Sequence, residues 1–407
     1  MSSRYINVKD SPYNACGNGS TDDTASIQQA LNDAGKAGGG IVLVPRGNYR
    51  INGTLTIPGY VTLEGVFTSP TAHSQNKGTN LLAYWGRGNE NDTPFIKLAG
   101  QNSSLKGLTI YYPEQNDPNN IVAYPWTIRG GVAPKTPHDN LTIQDVLLVN
   151  PYLAVDFGTY QCGRHLIRGL YGQPLKIGIQ IDQCYDVGRI EDVHFWPFWD
   201  VKALKAFISN NGFALVLKRS DWQIVSNFFA FGYHVGIHLT QGTDGQGTNG
   251  QFSNLNFDQT DVGLDVYSIQ NPGIFISNLN IVGGTEYDQK ILRAIWAHNS
   301  DYNVGPLSIQ NGSFWGQFIN EVVLWEKAGG PLQISASIFR AWGAGKPAIK
   351  IMRGRATIQG NFFSDLIGKS VYIGNDADRV IVTGNQLVGN PIEVHGPQHL
   401  RLVESNL

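Results

Sequence analysis

Charge is scarce in this chain: Lys, Arg, Asp and Glu make up 15% of its 407 residues, against roughly 25% in a typical soluble domain. The 30 basic and 32 acidic residues nearly cancel, to a net −2. That balance gives no field for nucleic acid or an anionic membrane, so neither is expected as a partner. No apolar run approaches the ~18 residues of a membrane span. Met1-Ser2-Ser3-Arg4-Tyr5 also lacks an apolar signal region, so the chain is expected either to be cytoplasmic or to have lost its signal. Cysteine is confined to Cys16, Cys162 and Cys184, none in Cys-x-x-Cys spacing, and no metal or cofactor is expected. Cys162 and Cys184 precede successive copies of the repeat described next, close enough for a disulfide; two buried thiols is the preferred reading.

Glycine, by contrast, is plentiful at 48 residues, and large apolar residues recur in a six-residue phrase. It reads Leu105 to Ile110, Ile143 to Leu148, Ile167 to Gly172 (degenerate), Ile190 to Phe195, Ile224 to Phe229, Phe252 to Phe257, Ile276 to Ile281, Ile309 to Phe314, Ile334 to Phe339, Ile358 to Phe363 and Val382 to Leu387. Successive copies approach a floor of about 24 residues, with longer intervals where loops are inserted, the mark of a stacked repeat. The scarcity of charge fits, because like charges at equivalent positions of a stack sit about 4.8 Å apart and repel. Three short strands fit in each turn of about 24 residues, which predicts an all-β chain: a right-handed parallel β-helix of eleven or twelve rungs. A β-propeller would need blades of ~40–45 residues. We expect one domain over 1–407, with a cap and first strands over 1–65 and rungs over 66–407.

A helix should cap the open end of the stack. Ile27, Ala30, Leu31 and Ala34 share one face, Thr21 to Thr24 offer capping oxygens, and Gly35 is the expected stop. Short strands should follow at 41–44, 47–51, 55–57 and 61–63. The run Gly17-Asn18-Gly19-Ser20-Thr21-Asp22-Asp23-Thr24-Ala25-Ser26-Ile27-Gln28-Gln29-Ala30, with Gly38 to Tyr49 after it, resembles the N-terminal signature of the pectate-lyase superfamily, in particular its glycoside hydrolase family 28-related branch. That resemblance covers about the first 65 residues. It implies the β-helix and a carbohydrate-directed function: glycoside hydrolase, polysaccharide lyase or epimerase, or tailspike-like glycan binder.

Strand alternation then ranks side chains. If each closing residue points inward, its neighbours point out. The outward pairs are Thr109/Tyr111, Leu147/Val149, Tyr171/Gln173, His194/Trp196, Phe228/Ala230, Asn256/Asp258, Asn280/Val282, Ser313/Trp315 and their later counterparts. The following turns add Glu114, Asp200, Tyr233, His234, Asp261 and Glu286. In the polygalacturonase-like enzymes that the resemblance brings in, active carboxylates lie at the end of this strand and in the turn after it, and Asn256-Phe257-Asp258-Gln259-Thr260-Asp261 is similar in layout. Hydrolysis needs a carboxylic acid and a second carboxylate. Asp258 is the first candidate, with Asp261, Asp200 or Glu286 as partner; each also has a plainer reading as a turn or solvated carboxylate. The apolar Phe195 to Trp199 run before Asp200 suits a general acid. His194 would orient a carboxylate or bind a sugar hydroxyl. Tyr111, Tyr112, Glu114, Trp126, Trp196, Trp199, Tyr171, Tyr233, Gln173, His234 and Asn256 are candidates to contact sugar, the aromatics by stacking. A subunit interface is the competing use of exposed aromatics. Few basic residues face outward on the central rungs, which favours hydrolysis over elimination. The expected partner is a poly- or oligosaccharide, met by an extracellular or periplasmic monomer or homotrimer.

Overall fold

The computed structural model describes residues 5–68, 70, 77–117, 120–134, 136, 138–197, 202–284, 292–298, 304–327, 329–364, 368–389 and 391–407. The chain forms two compact units, Met1–Ile208 and Ser209–Leu407. In each, short strands pair in parallel with their counterparts one turn later, as in a right-handed parallel β-helix.

The repeated phrase carries a bend at its third residue, within one continuous strand in the earlier copies and between two short strands from Ile309 onward. In the first unit Leu105, Ile143, Ile167 and Ile190 are in register, as are Ile110, Leu148, Gly172 and Phe195. In the second unit Phe257, Ile281, Phe314, Phe339, Phe363 and Leu387 align in the same way. The rings of Phe314, Phe339 and Phe363 stack at centroid distances of 4.8 and 4.8 Å, which is the strand spacing itself. One copy is out of phase. Phe257 pairs with Ala230, and Phe252 with Val225, so this phrase runs from Val225 to Ala230. Phe228 and Ala230 are buried, and Phe229 and Phe231 face outward. This stretch is apolar on both parities, so only the neighbouring coil sets its phase.

The third residue of each phrase makes the bend in the left-handed region. It is Gly107, Asp145, Gly169 and Asp192 in the first unit; in the second it is Asn227, Asn254, Asn278 and Asn311 at φ 53–58°, then Ala336, Gly360 and Gly384. Gly and Asn carry the least penalty there. The four asparagines bond amide to carbonyl along the stack at 2.9, 2.8 and 2.6 Å. The next position points inward. It is apolar through Phe228, Leu255 and Leu279, then becomes Gly312, Ser337, Asn361, Asn385 and Asn406. Each backbone N–H in that series donates to the side-chain oxygen one coil later: Gly312 to Ser337, Ser337 to Asn361, Asn361 to Asn385 and Asn385 to Asn406.

The cap helix runs Thr24–Lys36 and buries Ile27, Ala30, Leu31 and Ala34. Its capping differs from expectation. Asp22 accepts the Thr24 N–H at 3.0 Å, while Asp23 is buried and binds the N–H groups of Cys16 and Gly17. Gly35 lies inside the helix rather than at its end, and a Cβ there would meet Pro58 at 2.9 Å. It is required for packing. The following strands are Gly40–Leu43, Gly47–Ile51, Leu55–Ile57 and Val61–Glu64. A second helix, Lys202–Asn211, lies in an inserted interval and had no counterpart in the sequence reading. Cys162 and Cys184 are buried free thiols. His165 lies between them in sequence; its Nδ1 is 3.2 Å from the Cys162 carbonyl and 3.8 Å from Cys184 Sγ.

Candidate active site

Three parallel strands of the second unit, Val235–Leu239, Val262–Val266 and Arg293–Ala297, form the floor of the candidate site. Their register aligns His238 with Asp265 and Asp265 with Trp296. A column of small buried residues, Ala214, Gly236, Gly263 and Ala294, runs across these strands in register. A Cβ at Gly236 would stand 2.6 Å from the Gly263 carbonyl oxygen and 2.7 Å from the Phe257 ring.

Asp265 is the centre of the cluster. Its Oδ2 accepts from His238 Nδ1 at 2.7 Å and its Oδ1 from His298 Nε2 at 2.7 Å. Burial works to raise the carboxyl pKa, but the two imidazole hydrogen bonds and their charge outweigh it and hold Asp265 at about 2. An ionised carboxylate only accepts, so each histidine donates through the bonded nitrogen and presents the lone pair of the other when neutral. Those nitrogens, His238 Nε2 and His298 Nδ1, make no hydrogen bond among the described residues, and both side chains are partly exposed, at 24% and 29%. The Trp296 ring lies 4.3 Å from that of His298, and its Nε1 has no partner among the described residues. Arg293 stands over Trp296 at 5.5 Å and binds the buried Glu321 at 3.1 Å. Burial acts to raise Glu321, but its own backbone N–H, Arg293 and Lys350 prevail and lower it.

A second carboxylate–imidazole pair lies at the entrance to these strands. His234 Nδ1 is 3.0 Å from Asp261 Oδ2, and Asp261, buried at 3% exposure, also accepts the Leu292 N–H at 3.4 Å. Phe213 sits edge-on to both His234 and His238. Among the described residues, no group of three His, Cys, Asp or Glu side chains is arranged to hold a metal ion.

The structure thus brings His234 and Asp261 together. Asn256 and Asp258 lie on another strand, Thr248–Asp258, facing outward between Phe229 and Asn280 and between Phe231 and Val282 respectively. Tyr233 is 1% exposed and belongs to the core. In the first unit Tyr112 is equally buried, bonded to Thr127 at 2.7 Å and packed on Tyr124, so neither tyrosine offers a face to a sugar. Burial raises the phenol of each. Glu114 pairs with Arg87 at 3.8 Å, Tyr111 follows on the outward side of Ser104–Tyr111, and Trp126 opens the strand Trp126–Gly130. Tyr171 packs on Phe67 at 5.8 Å, and burial raises its phenol. His194 meets Trp196 edge-on at 6.3 Å, and burial lowers its imidazole. Gln173 is 1% exposed, with neither amide atom bonded among the described residues. Thr109, Leu147 and Val149, outward by alternation, are as buried as the core, so the face is covered at these positions. Trp199, Asp200 and Glu286 lie outside the described residues. His238, Asp265, Trp296 and His298 escaped the sequence reading because alternation was applied only to the closing strands. Applied to Val235–Leu239 and its successors, it would have found the first three; His298 reaches back from beyond its strand.

Residues 5–128 match the family described as rhamnogalacturonase A/epimerase, pectate lyase-like. Over 47 residues the chain is 55% identical to alginate lyase 7 of Azotobacter vinelandii, a match spanning 12% of this chain and 5% of the lyase. Over its whole length it is similar in fold to the A-module of mannuronan C-5 epimerase AlgE6 from Azotobacter vinelandii, at TM-score 0.57 and 18% identity, covering 99% of this chain and 98% of that one. It is also similar to the N-terminal fragment of bacteriophage phi29 gene product 12, at TM-score 0.62 and 13% identity, covering 94% of this chain and 66% of that one.

Proposed function

We propose that this pectate-lyase-like β-helix is an enzyme that removes the C5 proton of a uronic acid residue in a polysaccharide, acting as a lyase or C5-epimerase. The observation that carries the reading is one carboxylate, Asp265, orienting two imidazoles whose other nitrogens are unbonded. The hydrolase expectation gives way because Asp261 is already bonded to His234 and the Leu292 N–H, while the cluster around Asp265 is built from imidazoles. The alginate lyase and the mannuronan epimerase among the similar proteins support the same choice.

A proton on C5, next to the uronate carboxylate, is removed by a neutral imidazole as general base. The electron pair left on C5 delocalises into the carboxylate, and a nearby cation lowers the cost; Arg293, over the Trp296 ring, is placed to supply it. The intermediate has two outcomes. Expulsion of the C4 oxygen, protonated by the second histidine in its imidazolium form, leaves a C4=C5 double bond and a cleaved chain. Return of a proton to the opposite face of C5 inverts that centre and leaves the chain intact. Trp296 offers the flat apolar surface on which a sugar ring stacks.

The test is incubation with polymannuronate, polyguluronate and polygalacturonate in D2O. Absorbance near ~235 nm reports elimination through the conjugated double bond, and deuterium at C5 by NMR reports epimerisation. His238→Gln and His298→Gln should each slow the reaction about 100-fold or more. New reducing ends with neither signal would restore the hydrolase reading.

A further inference from the structure

We propose that Arg355 and Arg379 form a second, non-catalytic binding site for an anionic polysaccharide, on a different strand series of the second unit from the Asp265 cluster. Ala356 and Val380 are register partners on adjacent coils, and an irregularity just before them sets Asp378 and Arg379 opposite Arg355; both arginines border one depression. Two like charges held on one surface in this way repel. Two residues earlier on the same strand, Arg353 avoids the problem, being partnered by Asp376. Arg355 and Arg379 are exposed, and neither has an ion pair or hydrogen bond among the described residues. In a chain with so few charges, two arginines on one depression without an ion pair among the described residues carry a repulsion that a bound anion would relieve.

The pair also borders a concavity. Gln333, Thr357 and Ile381 align across three consecutive coils and, with Arg355, Arg379 and Pro331, line a depression of about 300 Å³. Arg355 and Pro331 also border a second depression, of about 310 Å³, with Asn271 and Gly305. Each lies at the lower end of the range for ligand pockets. The lining supplies what an acidic sugar needs: guanidinium forks for carboxylates, an amide and a hydroxyl for ring hydroxyls, and the Ile381 side chain for an apolar face. Carboxylates and sulfate esters share this chemistry. The assignment to a uronate rests on the function proposed above, and the charge argument does not.

The experiment is electrophoresis of the full chain through native gels containing polymannuronate, polygalacturonate, dextran sulfate or uncharged dextran. Polyuronates should retard the wild type and dextran should not. Arg355→Gln with Arg379→Gln should weaken retardation about tenfold, while turnover of a short oligouronate stays within twofold. Unchanged retardation of the double variant, equal retardation by dextran, or retardation by dextran sulfate alone would overturn the proposal. So would loss of retardation in His298→Gln, which would assign binding to the catalytic cluster. Polyuronate retardation that depends on the arginines, in a protein without elimination or epimerisation activity, would uphold this site and reject the proposed reaction.

Discussion

Replacing Asn361 by leucine removes the middle of the inward polar ladder and tests whether it holds the late coils together. Asn361 is 2% exposed. Its Oδ1 accepts the Ser337 N–H at 3.0 Å, and its Nδ2 donates to the Ile334 carbonyl at 3.1 Å and to Asn385 Oδ1 at 3.0 Å. Leucine has similar bulk and offers none of these partners. The Ser337 N–H is then left buried and unbonded, which costs about 1–3 kcal/mol, and the two other lost bonds add roughly 1 kcal/mol each. The expected loss is about 3–5 kcal/mol, a large part of the stability of an ordinary domain. Urea unfolding measures it as a lower midpoint with unchanged slope. Gln359→Ala, at an exposed position two residues earlier, is the control and should stay within about 0.5 kcal/mol. If Asn361→Leu also falls within that margin, the ladder does not stabilise the coils and the hydrogen-bond argument fails.

Burial lowers His165 to about 4. The unfolded chain therefore takes up a proton below pH ~6.5 that the folded one refuses, and stability should fall by about 3 kcal/mol between pH 6.5 and 4. His165→Gln should flatten that part of the urea-midpoint profile, and a profile identical to wild type would refute the assignment. Asp265 acts in the same direction over a lower window: its depressed pKa of about 2 contributes roughly 2 kcal/mol above pH ~4, lost as pH falls towards 2. Asp265→Asn should remove this contribution and also lower turnover about 100-fold or more by misorienting both imidazoles, with KM little changed; full activity in the variant would remove Asp265 from the mechanism. Gly236→Ala should cost about 1–3 kcal/mol, because its Cβ meets the Gly263 backbone. A variant as stable as wild type by thermal melting would show that this contact has slack.

The alternation of inward and outward residues was legible in the closing strands because one face of each is buried, and a one-residue slip would expose its whole apolar set. Where that condition weakens, legibility failed: Ile224 to Phe231 is apolar on both parities, and only the register of Phe252 and Phe257 in the next coil places Val225 and Ala230 inward. Asp23 and Gly35 show the same limit at the cap. Their residue types marked a helix terminus, but packing assigned Asp23 to the N–H groups of Cys16 and Gly17 and Gly35 to the space beside Pro58.

The sequence by itself determined the coil. A repeat near 24 residues, a left-handed bend at a fixed place and a scarcity of charge all follow from stacking identical geometry at the strand spacing, so each leaves a periodic trace in the chain. The candidate active site leaves no such trace. His238, Asp265 and His298 come from successive coils, and nothing periodic announces that two imidazoles will converge on one carboxylate. Only the tertiary structure decided that, because chemistry requires a few side chains to break the repeat, and which breaks meet is fixed by register rather than by distance along the chain.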